Sequence, residues 1–233
     1  SIGCAIENID TAARAYGLTP RFEFKTVDKG SLCPHGNPAI GAEIIAIVTL
    51  FFFNTTPTIE QQRILPFIVS RRTMRAEYDP TLQVPQSTLD KLTTSINDDL
   101  ISIYLVKDII RKLSISEFQS QADGYVLNSP LFSTELGNWL LPNDSDSPIG
   151  MPGNTFGLDD LQAERIHNGL IGKIPLEPED MLRFSLGGKI GFEKSPVIAF
   201  LTTKHDNIEG WIATGRAMQR AFLILEQEGI SYA

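Results

Sequence analysis

The chain has 233 residues, 42% hydrophobic and 21% charged, enough to bury a sizeable core in one large or two small domains. Asp and Glu number 28 against 20 Lys and Arg, and the resulting net charge of -8 argues against nucleic acid and anionic membrane as partners. The two cysteines, Cys4 and Cys33, indicate neither a disulfide framework nor a zinc site; as plain thiols they fit a reducing compartment, and the cytoplasm is the expected location.

Ala5, Ile6, Ile9, Ala12, Ala13 and Tyr16 recur at helical spacing between Ile2 and Leu18, and Gly17 stands where a C-terminal cap is expected. The run "RFEFKTV", Arg21 to Val27, predicts a strand with Phe22, Phe24 and Thr26 on one face. After the turn-rich "DKGSLCPHGNP", the apolar run Ala39 to Phe53 is broken by Glu43 and is shorter than the roughly 20 residues of a bilayer span, so a buried strand is predicted. A helix over Ile59 to Ser70 leads into "RRTMRAEYDP". The next helix starts with Ser87 as N-cap and turns Leu89, Leu92 and Ile96 inward. A further helix is predicted from Leu100 to Leu113, with Ile103, Val106, Ile110 and Leu113 on one side.

Asn128 to Asp160 is rich in Pro and Gly around one helical piece at Glu135 to Leu140, a composition typical of lids and binding loops. "SLGGKIG", Ser185 to Gly191, lacks phosphate-loop spacing and is read as a turn before the strand Pro196 to Thr203. The strongest helical pattern closes the sequence, Trp211 to Ile230. No initiator Met or signal peptide precedes the opening helix, and the expectation is a fragment of a longer protein.

The first and last helices overlay without gaps, Gly3 on Gly215, Ala5 on Ala217 and Gly17 on Gly229. Any two amphipathic helices share a period, which is one meaning of the match; an internal repeat about 210 residues long is the other.

The chemistry-bearing motifs are few. "CPHG", Cys33 to Gly36, has two metal-ligand types but no second pair, and "NDSDSPIG" from Asn143 has its Gly displaced from the place a calcium loop requires. His35, His167 and His205 have no Ser or Cys in a nucleophile context. Arg71, Arg72 and Arg75 with Thr73 form a cationic knot on an acidic chain. Such a cluster is ordinarily a solvated face; the alternative is an anion cradle, since guanidinium groups pair bidentately with phosphate and stay charged.

"VSRRTMRAEYDPTLQVPQSTLDKL" resembles the opening motif of the flavin-dependent nitroreductase family, approximately R-R-S-x-R-x-F/Y-D-x-x-x-x-V-P-x-x-x-L. Arg71, Arg72, Thr73, Arg75, Tyr78, Asp79, Val84, Pro85 and Leu89 fall on it. The stretch from Ser195 to Ala233 is similar to the family's later strand and long central helix, and "SIGCAIENIDTAARAYGL" looks like that helix from a preceding half. Together they imply the tandem, Acg-type branch, in which two halves of one chain imitate a homodimer.

The resemblance implies an α+β fold with a central, mostly antiparallel sheet flanked by helices. Residues 1–58 would be the C-terminal part of a first half and 59–233 a second half, with a lid at 125–160 over the flavin. Arg71, Arg72 and Thr73 would bind the phosphate and ribityl region of flavin mononucleotide (FMN), and Arg75 would lie near flavin N1 and O2, where a cation favours the reduced ring. The family's P-S-S-x-N loop is absent and is expected upstream of Ser1; further contacts are expected beyond Ala233. The implied activity is transfer of electrons from NAD(P)H through FMN to a quinone, nitroaromatic or similar small acceptor, with no side-chain acid or base. A flavin-storage protein with a closed site is the alternative, and a structural remnant with surface arginines a weaker third.

Overall fold

The computed structural model describes residues 2–24, 46–52, 56–74 and 77–233. Helix α1 (Ile2–Ala15) ends at Gly17, whose φ of 73° is a conformation that costs glycine little, and its N–H donates to the Arg14 carbonyl at 3.0 Å. Strand β1 (Leu18–Phe24) pairs antiparallel with β2 (Ala46–Phe52), Leu18 opposite Phe52 and Phe24 opposite Ala46. Next come α2 (Ile59–Arg63) and α3 (Leu65–Ser70). Thr58 opens α2 with a capping box, its hydroxyl accepting from the Gln61 N–H at 3.1 Å while the Gln61 side chain accepts from the Thr58 N–H at 2.8 Å. Pro66, without an N–H, stands in the first turn of α3, so the expected single helix is two.

Helix α4 (Gln86–Ile96) and strand β3 (Ile101–Val106) follow, then α5 (Ile109–Leu127), α6 (Pro130–Trp139) and the two-residue strands β4 (Leu140–Leu141) and β5 (Met151–Pro152). A 3-10 turn (Gly153–Phe156), α7 (Asp160–Leu170), α8 (Pro178–Lys194), β6 (Ile198–Thr203) and α9 (Ile208–Gln227) complete the order. The chain is α+β. Among the described residues the strands form three separate two-stranded sheets, β1 with β2, β3 with β6 and β4 with β5, where one central sheet is expected. No helix among the described residues is long and apolar enough to cross a membrane.

Several local expectations are corrected. Residues 101–106 are a strand, because "ISIYLV" alternates, burying Ile101 and Ile103 while Tyr104 is exposed. Asp108 then caps α5, its carboxylate accepting from the Arg111 N–H at 2.9 Å. "SLGGKIG" lies inside α8, not in a turn. The N-cap of α4 is Pro85, two residues before Ser87. The helical piece near Glu135 begins already at Pro130. Strand β2 is not buried where it is described: Thr49, Leu50 and Phe51 are exposed. Thr26, Cys33, His35 and Glu43 lie outside the described residues.

The chain divides into two compact units. One comprises Ser1–Thr73, Pro85–Tyr104 and Phe200–Tyr232 and is organised around α9, against which α1, α3 and α4 pack. Leu89, Leu92 and Ile96 of α4 are 3% exposed or less, as their spacing predicts, and each such side chain contributes about 1.5–3 kcal/mol of burial. From α9, Ala217, Ala221, Leu223 and Ile224 are buried in the same unit.

Contacts between α1 and α9 are reciprocal. The overlay that places Gly3 on Gly215 also makes Cys4 the counterpart of Arg216, Glu7 of Gln219 and Asn8 of Arg220. A Cβ on Gly3 would stand 2.8 Å from the Arg216 nitrogen, and one on Gly215 would stand 3.4 Å from the Cys4 nitrogen. Arg220 donates to Glu7 at 2.9 Å and Gln219 donates to Asn8 at 2.8 Å, so each of these contacts is the exchange of the other. Gly229, counterpart of Gly17, has φ of 68° and donates to the Glu226 carbonyl at 3.1 Å, closing α9 as Gly17 closes α1.

The other unit comprises Met74–Val84 and Leu105–Ala199, with Ala233. Its main contact is α5 along α8, where Lys189 pairs with Glu117 at 2.7 Å and a Cβ on Gly188 would stand 3.0 Å from an Asp123 carboxylate oxygen. That packing keeps the glycine-rich segment helical. A smaller core joins Leu140 to Ile166 and Leu170 of α7, covered by Leu136, Phe156, Leu158 and Leu176.

Candidate functional site

Helix α3 delivers the arginine segment. The Arg71 N–H closes the helix on the Phe67 carbonyl at 3.1 Å, and its φ of -51° and ψ of 127° turn the chain out of helical conformation. Residues 71–74 therefore run on without helix or strand pairing. Arg71 is half-buried, its guanidinium carbon 5.4 Å from the centroid of the Phe222 ring, which belongs to α9. Phe222 stacks on Tyr232, with centroids 4.5 Å apart and planes 11° from parallel. The Ser70 hydroxyl donates to Glu226 Oε1 at 3.0 Å, so the end of α3 is tied to α9 one turn beyond Phe222.

Tyr232 is 7% exposed, and its hydroxyl has no hydrogen-bond partner of good geometry among the described residues. Burial pushes its pKa up, and the Arg71 guanidinium opposes part of that rise. Arg72 and Thr73 are exposed. Among the described residues neither Arg71 nor Arg72 forms an ion pair, whereas Arg216 and Arg220 are tied to Glu7 at 2.8 and 2.9 Å. The structure thus brings Arg71, Arg72 and Thr73 together at the end of α3; Arg75 lies outside the described residues.

No family model matches the chain, and no curated protein matches it.

In the other unit, Tyr78 donates to the Met74 carbonyl at 3.4 Å, and Asp79 accepts from the Thr81 hydroxyl and N–H at 2.6 and 2.9 Å. Those bonds, the hydroxyl first, hold the Asp79 carboxyl below its ordinary range. Asp79 is therefore the acceptor of a local turn rather than a ligand in waiting. The 125–160 tract packs Leu136, Leu140, Phe156 and Leu158 in one small core with Ile166, Leu170 and Leu176. Leu127, Asn128, Ser133, Gly169, Leu170 and Leu176 help to line a cavity of about 560 Å³ beside it, and among the described residues no charged side chain lines that cavity.

His167 Nδ1 lies 3.0 and 2.6 Å from the Gly137 and Leu140 carbonyls, so it carries the proton and ties α7 to α6. Asn143 holds the "NDSDSPIG" loop by donating to the Leu158 carbonyl at 3.1 Å and accepting from the Asn154 N–H at 2.6 Å. Among the described residues no cluster of His, Cys, Asp and Glu has the arrangement of a metal site.

Sequence reasoning missed Phe222, Glu226 and Tyr232 as neighbours of the arginines. The closing helix reads simply as amphipathic, and nothing in its spacing tells which of its turns faces α3.

Proposed function

We propose that the chain belongs to an FMN-dependent NAD(P)H oxidoreductase of the nitroreductase-like superfamily, in its tandem branch. The observation that carries the reading is the reciprocal packing of α1 on α9 through Gly3 and Gly215. Two equivalent elements related by a two-fold meet with residue i on j and j on i, and a fused pair of halves predicts that pattern. The arginine segment hangs from the same helix, through Ser70 and Arg71 on Glu226 and Phe222.

The residues suit a phosphate monoester. Arg71 is a cation held at one place by an aromatic face, and Arg72 and Thr73 add exposed donors on the adjacent backbone. In this reading Arg71, Arg72 and Thr73 hold the phosphate and ribityl end of FMN, with Arg75 nearer the ring. The flavin, when bound, supplies the redox chemistry between NAD(P)H and a small acceptor. The chain's part is to bind and orient it; the 125–160 tract is its cover, the halves divide near residue 58, and the protein works in the cytoplasm.

Expression of the intact gene tests this. A yellow protein bleached by NAD(P)H supports the oxidoreductase; a yellow protein reduced by dithionite but not by NAD(P)H supports storage. Arg71→Ala should weaken FMN retention about tenfold or more, the loss of a charge-assisted contact. A colourless protein that FMN does not reconstitute sinks both readings.

A further inference from the structure

Most arginines that the structure holds firmly in the α9-centred unit are held by carboxylates. Arg216 donates to Glu7 and Asp10 at 2.8 and 2.6 Å, and Arg220 donates to Glu7 and the Ser95 carbonyl at 2.9 and 3.1 Å. Arg216 also lies over a ring, Phe22 at 5.2 Å, but Arg71 sits over Phe222 at 5.4 Å with no carboxylate partner among the described residues. Attraction to a ring face fixes a guanidinium through its charge and leaves N–H donors for another acceptor, whereas a carboxylate consumes them. Tyr232 stacks on Phe222 at 4.5 Å and is 7% exposed, and its phenol also lies within reach of the Arg71 guanidinium, so cation and both rings form one cluster. Glu226, which receives the Ser70 hydroxyl at 3.0 Å, lies one helical turn from Phe222. One short stretch of α9 therefore places both the backbone and the side chain of Arg71.

We propose that Phe222, stacked on Tyr232, is the positioning residue of the anion site at Arg71, holding the guanidinium where it distinguishes a phosphate monoester, FMN, from unphosphorylated riboflavin. This rests on the flavin-binding reading above. Phe222 touches no ligand; it acts through Arg71.

The test measures the Kd of FMN and of riboflavin by flavin fluorescence in the full-length protein, with thermal melts to show that each variant is folded. Phe222→Leu should weaken FMN about five- to tenfold and leave riboflavin unchanged, and Phe222→Tyr should restore the wild-type ratio. In Arg71→Ala, adding Phe222→Leu should cost nothing further, because the ring then has no cation to place. Tyr232→Leu removes the ring stacked on Phe222, should move the ratio in the same direction where Tyr232→Phe does not, and replaces Phe222→Leu if that variant fails to fold. An unmoved ratio in the folded variant, or additive losses in the double variant, overturns the positioning role and leaves FMN binding standing. Wild-type protein that binds FMN no tighter than riboflavin also overturns it, and binding of neither flavin overturns both readings.

Discussion

Gly3 and Gly215 meet backbone to backbone: a Cβ on Gly3 would stand 2.8 Å from the Gly215 Cα, and one on Gly215 would stand 2.9 Å from the Gly3 Cα. A helical Gly→Ala change ordinarily gains up to about 1 kcal/mol. Here the added methyl meets backbone, which cannot rotate away, and overpacking of this kind costs about 1–3 kcal/mol. Gly3→Ala and Gly215→Ala should each lower stability in urea unfolding. The double variant should lose less than the sum, since one separation of the helices relieves both clashes. A stability gain in either single variant would show that the helices are not held this close.

Glu7 is 7% exposed and receives Arg216 and Arg220 at 2.8 and 2.9 Å. Glu7→Gln should destabilise by about 1–3 kcal/mol, discounted from the fully buried case because both arginines keep partial contact with water. The loss should persist at high salt, unlike that of a surface pair. Urea titrations at low and high ionic strength measure it, and a loss that vanishes with salt would contradict the buried role.

Asp98 opens β3, accepting from the Leu100 and Ile101 N–H groups, both at 2.7 Å. The Ile101 bond first, then that from Leu100 and the charges of Arg220 and Lys204, hold its carboxyl below the usual value of 3.8. A depressed folded pKa gives stability that is present above the unfolded value and lost as pH falls through the folded one. Denaturation midpoints followed downward from about pH 6 should therefore show a loss below about pH 4 that Asp98→Asn flattens. An unchanged slope in Asp98→Asn would place the acid sensitivity elsewhere.

Tyr232→Phe removes a buried hydroxyl without a well-formed partner and keeps the stack on Phe222. The variant should be neutral or more stable by up to about 1 kcal/mol. Burial raises the phenol's pKa above 10.0, so ionisation is penalised in the folded state and wild-type stability falls as pH rises from that value through the folded one; Tyr232→Phe should lose this alkaline dependence. A melt lowered by several degrees would mean that the hydroxyl has a partner after all.

Much of the fold was legible where periodicity is long. The α1 and α9 patterns, the inward face of Leu89, Leu92 and Ile96, and Gly17 as a cap all follow from spacing. Shorter segments gave way to tertiary context. Ile103, Val106, Ile110 and Leu113 share a helical face on paper, yet the period-two run "ISIYLV" pairs with β6 and the helix waits for Asp108. Three glycines in "SLGGKIG" punctuate a lone sequence but continue a helix that is braced along α5. Of the candidate site, Arg71, Arg72 and Thr73 were named from the chain itself. Their support was not legible, because a ring on α9 meets Arg71 across more than a hundred intervening residues and local pattern has no record of such a meeting.

At the α1 and α9 contact, distance and phase are written in different alphabets. Missing side chains at Gly3 and Gly215 decide how near the helices lie, while the carboxylate of Glu7, gripping guanidiniums from two successive turns, decides how far one can slide or roll along the other. The two instructions are separable in principle. Substitution at the glycines would widen the seam with its alignment kept, and substitution at Glu7 would let two close helices slip out of step.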